Sequence, residues 1–192
     1  VGSRRFVARN RFRNTINGFT GIDLEWKDDG NRNGLVLRGF WTLPVHREPT
    51  ALRQERLKDN DIVFDTETTH VNFWGLYAAR DFEDVGRGEI YLFGIHESDS
   101  NDRPTRNRQL ATPGFRLFRK PSKGRFDYTI ENAIQFGTSR LSSSNTSAAG
   151  QKEIDHFAHF HHLTLAYTFD VAGSPSVALQ YDFASGDRNP ND

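Results

Sequence analysis

Alternation with a period of two runs through most of the chain, and no other feature limits its fold so strongly. Between clusters of Gly, Asn, Asp and Ser lie eight runs rich in β-branched and aromatic residues, the pattern of extended strands with two unlike faces. The first sets Ile22, Leu24 and Trp26 against Gly21, Asp23 and Glu25. The second sets Leu35, Leu37, Gly39, Trp41 and Leu43 against Val36, Arg38, Phe40 and Thr42. In the third, Val71, Phe73, Gly75, Tyr77 and Ala79 oppose Asn72, Trp74, Leu76, Ala78 and Arg80, and a turn with Asp84 and Gly86 leads into a fourth, Glu89 to Glu97, of undecided facing. A short fifth covers Phe115 to Arg119. The sixth alternates most clearly, Phe126, Tyr128, Ile130, Ile134 and Phe136 against Asp127, Thr129, Glu131 and Gln135. The seventh opposes Leu163, Leu165, Tyr167 and Phe169 to Thr164, Ala166 and Thr168; the eighth opposes Val177, Leu179, Tyr181 and Phe183 to Gln180 and Asp182. No stretch carries a convincing helical period, and none approaches the run of about 18 apolar residues that a transmembrane helix requires.

The connections alternate in length. Short turns fall near 27–34, 81–88, 120–124 and 170–175, and long polar segments at 44–70, 98–113 and 137–152. Consecutive antiparallel strands return to the same side at every second connection, so this asymmetry predicts the short periplasmic turns and long extracellular loops of an outer-membrane barrel. Trp26, Trp41, Phe73, Phe126, Phe136, Tyr167 and Phe169 stand near strand ends, where interfacial aromatic girdles belong. A soluble carbohydrate-binding barrel or sandwich is the alternative, with the same rings packed against one another inside. Against it stand Asp23, Glu25, Arg38, Arg80, Asp127, Glu131 and Asp182, which put charge on the other face of most strands, as a water-filled lumen permits.

Composition fits this reading. Only every second strand residue faces lipid in such a barrel, so a mean hydropathy of -0.69 is no objection. The absence of Cys suits passage through an oxidising periplasm. A net charge of zero argues against a general nucleic-acid binder, yet 20 of the 25 basic residues are Arg, whose planar fork pairs bidentately with carboxylate or phosphate. Neither an initiating Met nor a signal-peptide core precedes Val1, so the front of the protein is expected to have been lost to processing or truncation.

The basic segment holding Arg4, Arg5, Arg9 and Arg13 precedes the first strand and is expected in an extracellular loop or folded into the pore, where it would guide a polyanion, hold lipopolysaccharide phosphates, or pair with loop carboxylates. Four histidines, His156, His159, His161 and His162, split between two strand faces and lack a carboxylate or Cys at metal-motif spacing, so an interfacial or loop-contact role near the outer rim is expected rather than a metal site. No Ser elbow or phosphate-cradling Gly loop is present, which makes a barrel enzyme the third reading and predicts neither catalytic residues nor a cofactor.

Gly2-Ser3-Arg4-Arg5 followed by Arg13-Asn14 and Phe19 to Leu24, with the closing Leu179-Gln180-Tyr181-Asp182-Phe183-Ala184-Ser185-Gly186-Asp187 and Asn189-Pro190, resembles the alginate export family of outer-membrane porins. The resemblance implies a monomeric barrel in the bacterial outer membrane, in contact with lipid and lipopolysaccharide, that passes a polyuronate such as alginate or another anionic or polar solute. It makes Arg38, Arg80 and Arg116 pore-lining candidates, Asp23, Glu25, Asp127, Glu131 and Asp182 their counter-charges, and Arg4, Arg5, Arg9 and Arg13 loop or constriction contacts. Eight strands closed on themselves enclose space only for side chains. Residues 1–192 are therefore expected to be a single domain, an all-β, antiparallel up-and-down arc of a larger barrel of 16–18 strands.

Overall fold

The computed structural model describes residues 3, 7, 17–28, 34–46, 62, 64–100, 104–143 and 151–186. They form eight β-strands: β1 (Phe19–Lys27), β2 (Val36–Pro44), β3 (Val71–Phe82), β4 (Gly86–Glu97), β5 (Gln109–Arg119), β6 (Arg125–Arg140), β7 (Glu153–Thr168) and β8 (Ser176–Ala184). Every neighbour in sequence is an antiparallel neighbour in space, giving one sheet in the order β1-β2-β3-β4-β5-β6-β7-β8 with β1 and β8 at its edges. Among the described residues no helix is long and apolar enough to cross a membrane.

Two breakers hid most of β5. Pro113 and Gly114 suggest a loop running to 113, yet the strand is already formed at Gln109. Pro113 pairs with Leu92 of β4, while the ladder to β6 passes over Thr112 and Pro113, as expected of a residue without an N–H. Gly114 supplies room instead, since a Cβ there would lie 2.4 Å from the Tyr91 ring. β6 and β7 run on past the expected limits to Arg140 and back to Glu153, so the long connections shrink to 98–108 and 141–152.

The register fixes the faces. On β1 and β2, Ile22 is opposite Trp41 and Trp26 opposite Leu37; on β6 to β8, Ile130 is opposite Leu163, which is opposite Tyr181. These side chains make one apolar face, and it is the uncovered one: Leu24 and Leu179 are each 70% exposed. In a soluble sandwich that face would be the buried one. At about 3.3 Å per residue and a strand tilt of about 40°, the stretch from Phe126 to Phe136 rises about 25 Å, the height of an outer-membrane apolar band.

β3 departs from expectation. Its odd-numbered positions look as apolar as its even ones, but Tyr77 is opposite Arg38 and Tyr91, and Ala79 is opposite Glu89, so Val71, Phe73, Gly75, Tyr77 and Ala79 belong to the polar face. There Phe73 packs 5.3 Å from the Phe40 ring and 6.3 Å from Phe93, which removes it from the girdle. Tyr91, Phe93 and Ala133 form the buried cluster, with Val7, Phe40, Phe73 and Tyr77 against it. The even side, Trp74, Leu76 and Ala78, is the apolar one, and Arg80 goes with it.

Candidate pore-lining face

Five strands bring one ionisable residue each to the same level of the polar face. Glu89 of β4 is in register with Arg116 of β5, Arg116 with Glu131 of β6, Glu131 with His162 of β7, and His162 with Asp182 of β8. The row therefore alternates acid, base, acid, imidazole, acid. Strand alternation makes this possible, because each residue points to the same side and its cross-strand neighbour is only about 5 Å away.

Glu131 is the centre of the row, 1% exposed. It accepts hydrogen bonds from the Tyr91 hydroxyl at 3.2 Å and the Ser3 hydroxyl at 2.8 Å. Arg116 places a guanidinium nitrogen 3.6 Å from Glu89 and lies over the Phe118 ring at 4.1 Å. Arg87 spans Asp81 at 2.8 Å and Glu89 at 3.9 Å. His162 Nδ1 is 2.6 Å from Asp182 Oδ1, and its Nε2 is 3.1 Å from the Thr164 hydroxyl. A covered carboxylate is costly unless opposite charge and donors surround it, and each one in this row has such a neighbour.

A second group lies at the β1 edge. Arg38 donates from Nε to Asp23 at 2.8 Å, contacts the other Asp23 oxygen, and lies 3.8 Å from Glu25, which also holds Lys27 at 2.7 Å. The expected pore-lining residues Asp23, Glu25 and Arg38 thus come together here, and Arg116, Glu131 and Asp182 come together in the row. Asp127 shares their face, buried one strand-pleat repeat beyond Thr129. Arg80 does not: it is exposed on the apolar face, its guanidinium 5.8 Å from the Phe82 ring. Arg4, Arg5, Arg9 and Arg13 lie outside the described residues, although Ser3 and Val7 touch Glu131 and the aromatic cluster. Sequence reasoning missed Glu89, Arg87, Asp81 and His162 as members of the site. Parity from Glu131 would have placed none of them, because it does not cross between strands without the register.

The histidines divide as their spacing requires, but within β7 rather than in a rim loop. His156 and His162 face the polar side, where His156 Nε2 is 2.9 Å from Gln135. His159 and His161 lie on the apolar face with Nδ1 and Nε2 2.9 Å apart, His161 bonded to Asn132 and both rings stacked on Phe183. Three of their four ring nitrogens are thus partnered, which lowers the cost of standing in an apolar band. Among the described residues no group of three or more metal-ligating side chains occurs.

At the long-loop end, charge pairs tie the strands together. Arg108 grips Glu97 with bonds of 2.9 and 2.6 Å, Asn107 donates to Glu153 at 2.8 Å, and Asp99 pairs with Arg140 while accepting from the Thr105 N–H at 2.8 Å. The Glu97 hydrogen bonds hold Arg108 above the ordinary guanidinium range. The Thr105 N–H, and after it Arg140, hold Asp99 below the usual carboxylate range. A folded pKa below the unfolded one gives stability that is present above the unfolded value of about 3.9 and is lost as pH falls through the folded value. Hydrogen-exchange protection of the Thr105 amide is therefore expected to drop between pH 5 and pH 2, approximately, and to become flat over that window in Asp99→Asn.

A single up-and-down sheet with an uncovered apolar face and ionisable side chains on the other is the wall of a transmembrane β-barrel. The family model described as alginate export matches residues 1–192, and the chain belongs to the alginate export family. It matches no curated protein and no solved structure.

Proposed function

We propose that this chain is part of the wall of a bacterial outer-membrane porin through which an anionic polysaccharide, a polyuronate such as alginate, passes by diffusion. The apolar face lies against acyl chains and the row from Glu89 to Asp182 lines the water-filled lumen, with Arg38, Asp23 and Glu25 as a second charged station. The observation that carries this reading is the row of ionisable side chains from five adjacent strands on one face of a sheet whose other face is apolar and uncovered. A lumen built that way selects by local field rather than by net charge. Arg116 and Arg38 attract carboxylates, and the acids beside them keep any one carboxylate from being held tightly, so that a chain of uronates can move on. The free edges of β1 and β8 suit a cylinder continued by further strands.

The test is planar-bilayer recording with the complete gene product. An open channel whose current is blocked by uronate oligomers, and less by neutral oligosaccharides of the same length, is the expected result. A neutral oligosaccharide that blocks equally well would remove the polyuronate assignment, and a protein that folds as a water-soluble monomer would remove the barrel.

A further inference from the structure

Arg80 and Arg119 differ from the arginines held in ion pairs. Arg38, Arg87, Arg108, Arg116 and Arg140 each have a carboxylate within salt-bridge distance. Arg80 and Arg119 have none among the described residues, and each has a ring beneath its guanidinium instead, Phe82 at 5.8 Å and Tyr128 at 5.5 Å. Both stand on the apolar face, at the end that carries the short connections. Arg80 is opposite Gly88, and Gly88 is opposite Leu117, two positions before Arg119 on the same strand face.

The two cations therefore flank β4 where it has no outward side chain. Arg80 on β3 and Arg119 on β5 stand two strand spacings apart, about 10 Å, with the side-chain-free Gly86 and Gly88 of β4 between them. The Phe82 ring covers Gly88 so closely that a Cβ there would come within 2.8 Å of it, which makes a flat aromatic platform between the two cations. Tyr128 walls the other side and donates its hydroxyl to the Val85 carbonyl, which fixes the ring at the turn. Trp26, Phe126 and Tyr167 continue the aromatic belt at the same end of the sheet. Aromatic belts mark the depth of lipid head groups.

We propose that this platform binds the phosphate diester of a glycerophospholipid, with Arg80 and Arg119 as the two donors. The inference rests on the membrane-wall reading above. A guanidinium matches phosphate oxygens bidentately, and the ring under each one holds the fork in place while leaving its N–H edge free. The short connections are the periplasmic ones in a barrel of this kind, so the lipid belongs to the inner leaflet of the outer membrane. Arg80 is thus a lipid contact rather than a pore contact.

Native mass spectrometry of the complete gene product tests this, with phosphatidylglycerol or diacylglycerol of the same acyl chains added to the detergent. The wild type is expected to retain phosphatidylglycerol in preference to diacylglycerol. Each Arg→Gln substitution lowers that retention about five-fold and the double variant R80Q/R119Q about thirty-fold, with diacylglycerol unchanged. Arg38→Gln, on the other face, leaves retention as it was. Heat-modifiable migration of the double variant on gels confirms that it is folded. Equal retention of phosphatidylglycerol by the folded double variant overturns the lipid site and leaves the porin reading intact. A wild type that retains neither lipid overturns the site, and if that protein also folds without detergent the porin reading falls with it.

Discussion

Leu76→Arg is expected to destabilise the reconstituted protein by about 2–4 kcal/mol, while Thr129→Arg costs no more than about 0.5 kcal/mol. Leu76 is at the middle of β3, 58% exposed, and opposite Leu92 on the apolar face. A guanidinium there must enter hydrocarbon with no donor or acceptor in reach. Thr129 stands on the polar face opposite Phe118 and Thr164, one repeat from both Asp127 and Glu131, so the same guanidinium finds carboxylates and water. Urea unfolding in lipid vesicles reads both values, and the m-value should stay constant if the unfolded state is unaltered. Equal costs for the two variants would mean that the two faces meet the same solvent.

Arg116→Glu is expected to lower the ratio of anion to cation permeability about tenfold, the effect of about 1.4 kcal/mol at the selecting level of the lumen. The substitution removes the one fixed cation between Glu89 and Glu131 and leaves acids at consecutive positions on β4, β5 and β6. Repulsion across about 5 Å of partly wet lumen is of that order. Reversal potentials in a salt gradient give the ratio directly. Arg116→Lys keeps the charge and should keep the selectivity, which separates a field effect from a change of pore shape. Unchanged selectivity in Arg116→Glu would remove Arg116 from the conducting path.

The family, the up-and-down order and the faces of β1, β2, β6, β7 and β8 were legible in the sequence because on these strands one parity is greasy and the other charged. Ile22, Leu24 and Trp26 against Asp23 and Glu25 admit one orientation only. β3 defeated that logic, since Phe73 and Tyr77 build an aromatic cluster with Phe40 and Phe93 on the polar face. Where the polar face carries its own rings, parity says nothing, and Arg80 was misplaced with the strand. Pro113 and Gly114 concealed the first half of β5 because residues that break a strand on average are accommodated here by a gap in the ladder at Thr112 and Pro113 and by the Tyr91 ring. Within the site, the individual acids and bases were visible, but not the row they form. That row depends on the pairing of Glu89 with Arg116 and of Glu131 with His162, a register that loop lengths do not encode.

The most direct test follows a nitroxide label along β7. The chain has no Cys, so each introduced thiol is unique within these 192 residues. Labels at Leu163, Thr164, Leu165 and Ala166 of the complete gene product in lipid vesicles are read for collision with oxygen, which concentrates among acyl chains, and with a water-soluble nickel chelate. The account predicts alternation, with Leu163 and Leu165 relaxed by oxygen and Thr164 and Ala166 by the chelate. Chelate access at Leu163 and Leu165 together with protection of Thr164 and Ala166 would contradict it.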